Sequence, residues 1–256
     1  MYDDWGEDSQ IVKARVKALF PDVSDNALMS LQDAEQFYQE GLQAKGHYTI
    51  GLDIARYGQD ESVMAIYQGG NLVDLFVFEK KNTRQIAGLA VAKQAELEAK
   101  MIVVDDIGVG GGVTDSIAEA FHSRKDVNVI GFIGSSRASQ ATKYANIQSE
   151  CWYQLASSIK ASKTKSAVQD DVLEGQLTSF KVIYTPDGRI RVQWPEKKED
   201  RMTSDSKSPD RAYATMLAWF GDRLLRIGMA QESESLQRQD DDRGATLGRG
   251  ILKRDF

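Results

Sequence analysis

From Gly51 to Ser62 the chain reads Gly-Leu-Asp-Ile-Ala-Arg-Tyr-Gly-Gln-Asp-Glu-Ser. This stretch continues an alternating apolar segment and brings an acid, Asp53, to its end. Because successive side chains of a strand point to opposite faces, Thr49, Gly51 and Asp53 are predicted to share one face. The other face is predicted to be apolar and to consist of Tyr48, Ile50, Leu52 and Ile54. We expect Gly51 to leave space beside Asp53 for either a metal-bound phosphodiester or a nucleotide.

The apolar pattern around this strand predicts a three-strand antiparallel meander, then a helix and a buried strand. These elements are predicted at residues 48–55, 62–68, 71–79, 84–99 and 101–104. The later elements are predicted as a helix at 114–123, a strand at 127–132, helices at 145–162 and 169–181, a hairpin at 182–194 and a helix at 208–227. The order predicts an α/β fold in which the meander continues into parallel strands. The mixed central sheet is expected to be flanked by helices and accompanied by an accessory β-hairpin.

Three parts of the chain differ in pattern. Residues 1–46 are predicted to be a helical lead-in, with one helical run before Pro21 and a second over 25–42. Residues 47–228 contain the α/β elements and are predicted to form one domain. Residues 229–256 are polar and include the run Asp240-Asp241-Asp242, which favours a flexible tail.

Composition narrows the possible functions. The 256 residues are 41% hydrophobic and contain neither a long apolar stretch nor a signal-like N-terminus, so we expect one sizeable core in an unexported protein. A single cysteine and two histidines supply neither an internal disulfide nor a zinc site. The net charge of -6 argues against a protein that coats nucleic acid. It does not argue against a nucleic-acid enzyme, because divalent cations bound to carboxylates add local positive charge.

A second acidic position follows the predicted buried strand. Asp105 and Asp106 come directly after Val104 and precede a glycine-rich segment, residues 108–112. A carboxylate at the C-terminal end of a central strand is typical of a functional site. The alternative is a plain strand-to-helix turn in which either acid caps the helix.

The third acidic position is Asp210. Ser208 is predicted to cap the final helix and Pro209 to open it, so Asp210 lies in the first turn. Its neighbours on the same helical face are apolar: Tyr213, Ala214, Leu217, Phe220 and Leu224. Burying a carboxylate on this face is costly unless a partner or a metal compensates its charge. The alternative is a favourable interaction of Asp210 with the helix dipole.

Three acids on a first strand, a central strand and a late helix are the layout of a two-metal phosphodiesterase site. We call Asp53, Asp105 and Asp210 the acidic triad. Its oxygen ligands suit two Mg²⁺ or Mn²⁺ ions. Asp60 is a further candidate ligand if the first loop folds back toward Asp53, and is otherwise a surface residue.

These motifs together resemble a known family, the RNase H-like nuclease domain of the tailed-phage terminase large subunit. The resemblance rests on Asp53 with the later Asp-Glu-Ser, on Val-Asp-x-x-Gly-Val-Gly-x-Gly-Val from Val104, and on Ser-Pro-Asp-Arg-Ala from Ser208. It spans residues 47–220, and residues 6–21 resemble the segment that joins a terminase motor to its nuclease.

The resemblance implies an endonuclease that cuts concatemeric double-stranded viral DNA during genome packaging in the cytoplasm of an infected bacterium. It implies the acidic triad as catalytic metal ligands with Asp60 as an auxiliary one, and the family spacing to Gly108 selects Asp105 over Asp106. The implied partners are DNA, the terminase small subunit, the portal or procapsid and the packaging ATPase. The chain contains no Gly-x-x-x-x-Gly-Lys-Ser/Thr phosphate loop, so we expect an isolated domain or a separately encoded nuclease.

Cleavage of the kind that the resemblance implies is largely independent of sequence, so we expect contacts mainly to phosphates. Basic residues that flank the acids are the candidates, although each is equally compatible with a solvated surface. They are Arg56, Lys143, Lys197, Lys198, Arg201 and Lys207.

Two other functions remain open. An actin-like or sugar-kinase-type ATP-binding domain also uses an acid on its first strand, but it needs a second glycine-rich phosphate turn. The first loop, residues 56–60, has one glycine and an acid. Among nucleases, a Holliday-junction resolvase is the nearest alternative.

Overall fold

The computed structural model describes residues 26–55, 61–79, 81–106, 110–195 and 208–229. The chain divides into two compact units, residues 1–222 and residues 223–256. Of the second unit only residues 223–229 are described, and they are helical. No helix in the described ranges has the length and apolarity that crossing a bilayer requires.

A five-stranded mixed sheet forms the centre of the first unit. Its strands are β1 (Tyr48–Asp53), β2 (Ser62–Gln68), β3 (Asn71–Phe78), β4 (Met101–Asp105) and β5 (Asn128–Phe132), in the order β3-β2-β1-β4-β5. Strand β1 is antiparallel to β2, which is antiparallel to β3, whereas β1, β4 and β5 run parallel. The predicted mixed sheet, with a meander that continues into parallel strands, is therefore confirmed.

Helices cover both faces of this sheet. On one face, Ile50, Leu52 and Val104 pack in a buried cluster with apolar residues of α2 (Thr83–Leu97) and α3 (Gly110–Ala120). Helix α6 runs over residues 210–229, and its part within the first unit, residues 210–222, covers the other face, where the Thr49 hydroxyl donates to the Ala218 carbonyl at 3.0 Å. Strand β1 lies between helical layers, which explains why its residues from Thr49 to Leu52 are all buried.

In chain order, the remaining elements come after β5 and before α6, apart from one short helix near the start of the described residues. They are α1 (Leu31–Glu35), α4 (Ile147–Lys160), α5 (Asp171–Ser179), β6 (Lys181–Tyr184) and β7 (Ile190–Gln193). Strands β6 and β7 form the predicted accessory hairpin.

Two predicted helix boundaries were wrong. The helix expected over 25–42 is only five residues long, because the chain after it pairs with Ser166: the Gln39 amide donates to the Ser166 carbonyl at 2.8 Å. Helix α3 begins four residues earlier than predicted, at Gly110, which lies so close to the Asp105 carbonyl that a Cβ would be 1.6 Å from its oxygen. The earlier lead-in helix lies outside the described residues.

Candidate active site

Two of the three acids lie side by side at the C-terminal edge of the parallel strands. Leu52 of β1 is the register partner of Val104 of β4, so Asp53 and Asp105 are the next residues along two hydrogen-bonded strands. Neighbouring strands are about 4.8 Å apart. The sheet therefore brings these two carboxylate-bearing residues together without any loop to position them.

Both acids are on the face of the sheet that α6 covers. A Cβ on Gly51 would lie 2.3 Å from the Ala214 carbonyl oxygen, and a Cβ on Gly221 would lie 2.9 Å from the Val103 side chain. Gly51 and Val103 therefore face α6. Because side chains alternate along a strand, Asp53 and Asp105 share that face.

The third acid begins α6 at the same edge. Ala218 lies over Thr49 and Ala214 over Gly51, so Asp210 lies one helical turn further toward the end of β1. Its carboxylate accepts a hydrogen bond from the Glu61 backbone amide at 3.2 Å and another from the Ser208 hydroxyl. Asp210 is 8% exposed, in agreement with the predicted inward orientation.

Tyr213 links α6 electrostatically to the other two acids. Burial raises the pKa of Tyr213, and the charges of Asp105 and Asp53 raise it further. Its ring packs against Phe132 and Trp152, with centroid distances of 6.5 and 6.1 Å. The tyrosine one turn after Asp210 is thus within electrostatic reach of both sheet acids and stays protonated at ordinary pH.

The expected role of Gly51 was wrong. We predicted that its missing side chain leaves space for a ligand beside Asp53. That space is filled by the backbone of α6, since a Cβ on Gly51 would also lie 2.3 Å from the Ala218 nitrogen. Gly51 instead allows the helix to approach β1 closely enough to bring Asp210 over the sheet.

Asp106 is directed away from the acidic triad. Its side chain accepts a hydrogen bond from the Thr114 hydroxyl at 2.8 Å, on α3. Its carboxyl carbon lies 2.8 Å from where a Cβ of Gly131 would be, and its amide donates to the Phe132 carbonyl. Asp106 therefore holds the start of α3 against β5, the structural role that was the alternative for this doublet.

Of the basic residues predicted to contact DNA, Lys143 is the one that lies within the described residues. Its exposed amino group lies 5.1 Å and 5.4 Å from the ring centroids of Tyr144 and Tyr153, and its contact with Tyr144 raises the pKa of Lys143. The other predicted ligands and DNA contacts lie outside the described residues: Asp60, Arg56, Lys197, Lys198, Arg201 and Lys207.

Sequence reasoning missed an ion-pair network beside Asp210. The Arg211 guanidinium donates to both Glu61 carboxylate oxygens at 3.1 Å and to Asp170 at 2.7 Å. Burial disfavours the charge of Arg211, but the pairs with Glu61 and Asp170 outweigh burial and raise the pKa of Arg211. Glu61 belongs to the Asp-Glu-Ser motif and Arg211 to the Ser-Pro-Asp-Arg-Ala motif. Their pairing is a tertiary contact, which no local sequence pattern predicts.

The donor set suits a hard divalent cation. Within the described ranges, no three Asp, Glu, His or Cys side chains already form a cluster that would hold a metal ion. The three acids that share this edge nevertheless carry carboxylate oxygens, the ligands that Mg²⁺ and Mn²⁺ prefer. The structure therefore agrees with such a cation in ligand chemistry and in the shared edge of the three acids.

Comparison with known proteins identifies the fold. A scan of protein-family models and a search of curated proteins find no match. Among solved structures, the chain is similar to the nuclease domain of the large terminase subunit gp2 of bacterial virus Sf6. The TM-score is 0.65, with 19% identity, over 75% of this chain and 98% of that one. The chain has the RNase H-like fold of the large-terminase nuclease domains.

Two further terminase nuclease domains support this assignment of the fold. The domain from thermophilic phage G20c, solved with bound magnesium, has a TM-score of 0.53 and 16% identity over 77% of this chain and 97% of that one. The domain from Thermus phage P74-26 has a TM-score of 0.51 and 15% identity over 76% and 94%. A variant of the Sf6 domain has been solved with manganese. These comparisons with nuclease domains do not favour the ATP-binding alternative.

Proposed function

We propose that this protein is a metal-dependent endonuclease that cuts concatemeric double-stranded viral DNA during genome packaging. The observation that carries the proposal is the convergence of the acidic triad at one sheet edge. Asp53 and Asp105 are adjacent through the β1–β4 register, and Asp210 is held at the same edge by the Glu61 amide. The terminase nuclease fold supports the same function.

The acidic triad would hold two Mg²⁺ or Mn²⁺ ions, with Asp60 as an auxiliary ligand. Bound in this way, the ions would supply Lewis-acid stabilisation and a nucleophilic water for hydrolysis of a phosphodiester bond. The magnesium in the G20c domain and the manganese in the Sf6 variant support the choice of cation.

The surrounding residues of this chain fix the ligands. Asp210 is oriented by two donors, and Arg211 ties its helical turn to Glu61 and Asp170. Tyr213 remains neutral, so it adds no negative charge beside the acids. These contacts limit the movement of Asp210, which reduces the reorganisation needed when a substrate phosphate binds.

We further propose contacts to DNA phosphates by Arg56, Lys143, Lys197, Lys198, Arg201 and Lys207. The other proposed partners are the terminase small subunit, the portal or procapsid and the packaging ATPase domain, in the cytoplasm of an infected bacterium. In this scheme, residues 1–46 are the lead-in from a motor domain, 47–228 the nuclease and 229–256 a tail.

The direct test is incubation of supercoiled plasmid with the purified protein in Mn²⁺, with parallel reactions in EDTA and with ATP. We expect nicked and linear DNA in Mn²⁺ alone, and none from the Asp53→Ala variant. Full cleavage in EDTA would contradict the proposal, as would inactivity in Mn²⁺ accompanied by ATP turnover.

A further inference from the structure

A second feature of the active-site edge is the segment that follows β5, residues 133–140. Phe132 is the register partner of Asp105, so this segment leaves the sheet directly beside that acid. It also touches α6, since a Cβ on Gly134 would lie 3.1 Å from the Tyr213 hydroxyl. We call residues 133–140 the β5 loop. Its position makes it a neighbour of the acidic triad.

The β5 loop is anchored by a buried acid that the proposed reaction does not use. Glu150 of α4 is 0% exposed, and its carboxylate accepts from the backbone amides of Ser139 and Gln140 at 2.7 and 3.2 Å. The Ser139 hydroxyl and the Gln154 amide complete the set of donors. Three of these four hydrogen bonds come from the loop and fix its second half to one buried side chain.

The first half of the β5 loop is fixed by its own backbone. The Ser136 amide donates to the Ile133 carbonyl, and the Ser136 carbonyl accepts from the Ile147 amide, both at 2.9 Å. The Gln148 amide donates to the Gly134 carbonyl at 3.2 Å. The loop is therefore held from both sides, and little backbone conformational entropy remains to be lost when it binds a ligand.

Three consecutive polar side chains project from this anchored loop into solvent. Ser135, Ser136 and Arg137 are exposed, and their side chains make no hydrogen bond or ion pair with another described residue. By contrast, Arg124 and Arg189 are each paired with a nearby aspartate at 2.7 Å. The loop thus presents two hydroxyls and one guanidinium that the described part of the protein leaves available.

We propose that the β5 loop binds a phosphate of the DNA duplex next to the phosphate that is cut. Arg137 supplies a charge-assisted hydrogen bond, and Ser135 and Ser136 supply neutral ones, which are common partners of DNA phosphates. This inference rests on the proposed function, because the loop faces the substrate only if the acidic triad acts on DNA. It also gives an acidic protein a local cation at the site.

Binding of a fluorescent DNA duplex in EDTA, followed by anisotropy across a salt series, tests this loop without cleavage. We expect Arg137→Ala to weaken binding by about tenfold and to reduce the slope of log K against log salt by about 0.9. The matched control is Lys125→Ala, an exposed cation with no partner among the described residues. Lys125 precedes β5 and so lies at the opposite edge of the sheet.

The outcomes separate this inference from the proposed function. Equal binding by wild type and Arg137→Ala, or equal losses in Arg137→Ala and Lys125→Ala, would overturn the role of the β5 loop, as would absence of wild-type binding. If Arg137→Ala selectively weakens binding but the wild type fails to cut plasmid in Mn²⁺, the contact of the β5 loop with a DNA phosphate stands, whereas its place beside a cleaved phosphate fails together with the endonuclease proposal. Unchanged thermal unfolding of both variants shows that the comparison concerns folded protein.

Discussion

The backbone amide of Glu61 donates to the carboxylate of Asp210 at 3.2 Å, across 149 residues of sequence. Glu61 immediately precedes β2, and Asp210 begins α6, so this bond joins the edge of the sheet to the start of the helix. The Glu61 side chain reinforces the join by pairing with Arg211 through both carboxylate oxygens. The position of Asp210 thus depends on residues that carry no direct chemical role.

Arg211 gives the first prediction. Its replacement in Arg211→Ala leaves the carboxylates of Glu61 and Asp170 without their common partner, and these side chains are 30% and 17% exposed. We expect the free energy of unfolding to fall by about 2 kcal/mol. The cleavage rate should also fall, even under conditions where the variant is fully folded, because the helical turn that carries Asp210 loses its ion pairs to Glu61 and Asp170. Urea unfolding and plasmid cleavage below the transition measure the two effects.

The control for this variant is Arg189→Ala, which removes a pair with Asp187 between side chains that are 35% and 56% exposed. We expect almost no change in the free energy of unfolding, since exposed ion pairs contribute little. Similar losses in the two variants would contradict a special role for the Arg211 network.

Gly51 gives the second prediction. In Gly51→Ala the new methyl group would lie 2.3 Å from both the Ala214 oxygen and the Ala218 nitrogen, so α6 has to move. We expect a loss of about 3 kcal/mol of stability and a strong loss of cleavage, because Asp210 moves with the helix. Gly88→Ala is the control: it lies inside α2, where a Cβ would meet no atom within 4 Å beyond its own helical backbone and chain neighbours, and it should gain about 0.5 to 1 kcal/mol. Urea unfolding of both variants distinguishes helix contact from an ordinary glycine effect.

The Asp105-Asp106 doublet gives the third prediction. Asp105→Ala should abolish Mn²⁺-dependent cleavage with the fold retained. Asp106→Ala should keep most of the activity and lower the free energy of unfolding by about 1 kcal/mol, because it removes the hydrogen bond from Thr114. Cleavage rates and circular dichroism of the two variants provide the measurement. The reverse pattern of activities would show that Asp106 is the ligand.

Much of the sheet could be predicted because its signals are local. Alternation from Tyr48 to Asp53 and the continuous apolar run before Asp105 predicted these two strands to within about two residues of their observed ends. The helical periodicity after Pro209 correctly predicted that Asp210 points inward. Each of these patterns lies within one helix or strand, so it can be recognised from the local sequence alone.

The contacts between elements could not be predicted in the same way. The alternation of β1 indicates which face Gly51 occupies, but not that a helix some 160 residues later fills the space above it. The pairing of Glu61 with Arg211 likewise depends on how two distant elements meet. Residues 25–42 have a helical pattern, yet α1 ends at Glu35. The backbone after α1 forms hydrogen bonds with Ser166 in place of further helical ones.

Tyr213 gives a prediction for the dependence of stability on pH. Its pKa is raised above the ordinary value of 10.0, first by burial and then by Asp105 and Asp53. The folded state therefore keeps this proton while the unfolded state loses it, so the stabilising contribution is complete below pH 10 and is lost as pH rises toward the folded pKa. The loss should be about 1.4 kcal/mol per pH unit above 10.

The Tyr213→Phe variant isolates this effect, because it keeps the ring contacts and removes the ionisable hydroxyl. Urea unfolding at pH 9 and pH 11 should show a smaller decline for the variant than for the wild type. Equal declines would mean that Tyr213 titrates alike in the folded and unfolded states.

The acidic triad is tested most directly by an anomalous-scattering map of crystals soaked in manganese chloride. We predict manganese peaks coordinated by the carboxylates of Asp53, Asp105 and Asp210, and their loss in crystals of Asp53→Ala. Manganese bound elsewhere on the protein, with no peak among these three carboxylates, would contradict the metal site on which the proposed nuclease depends.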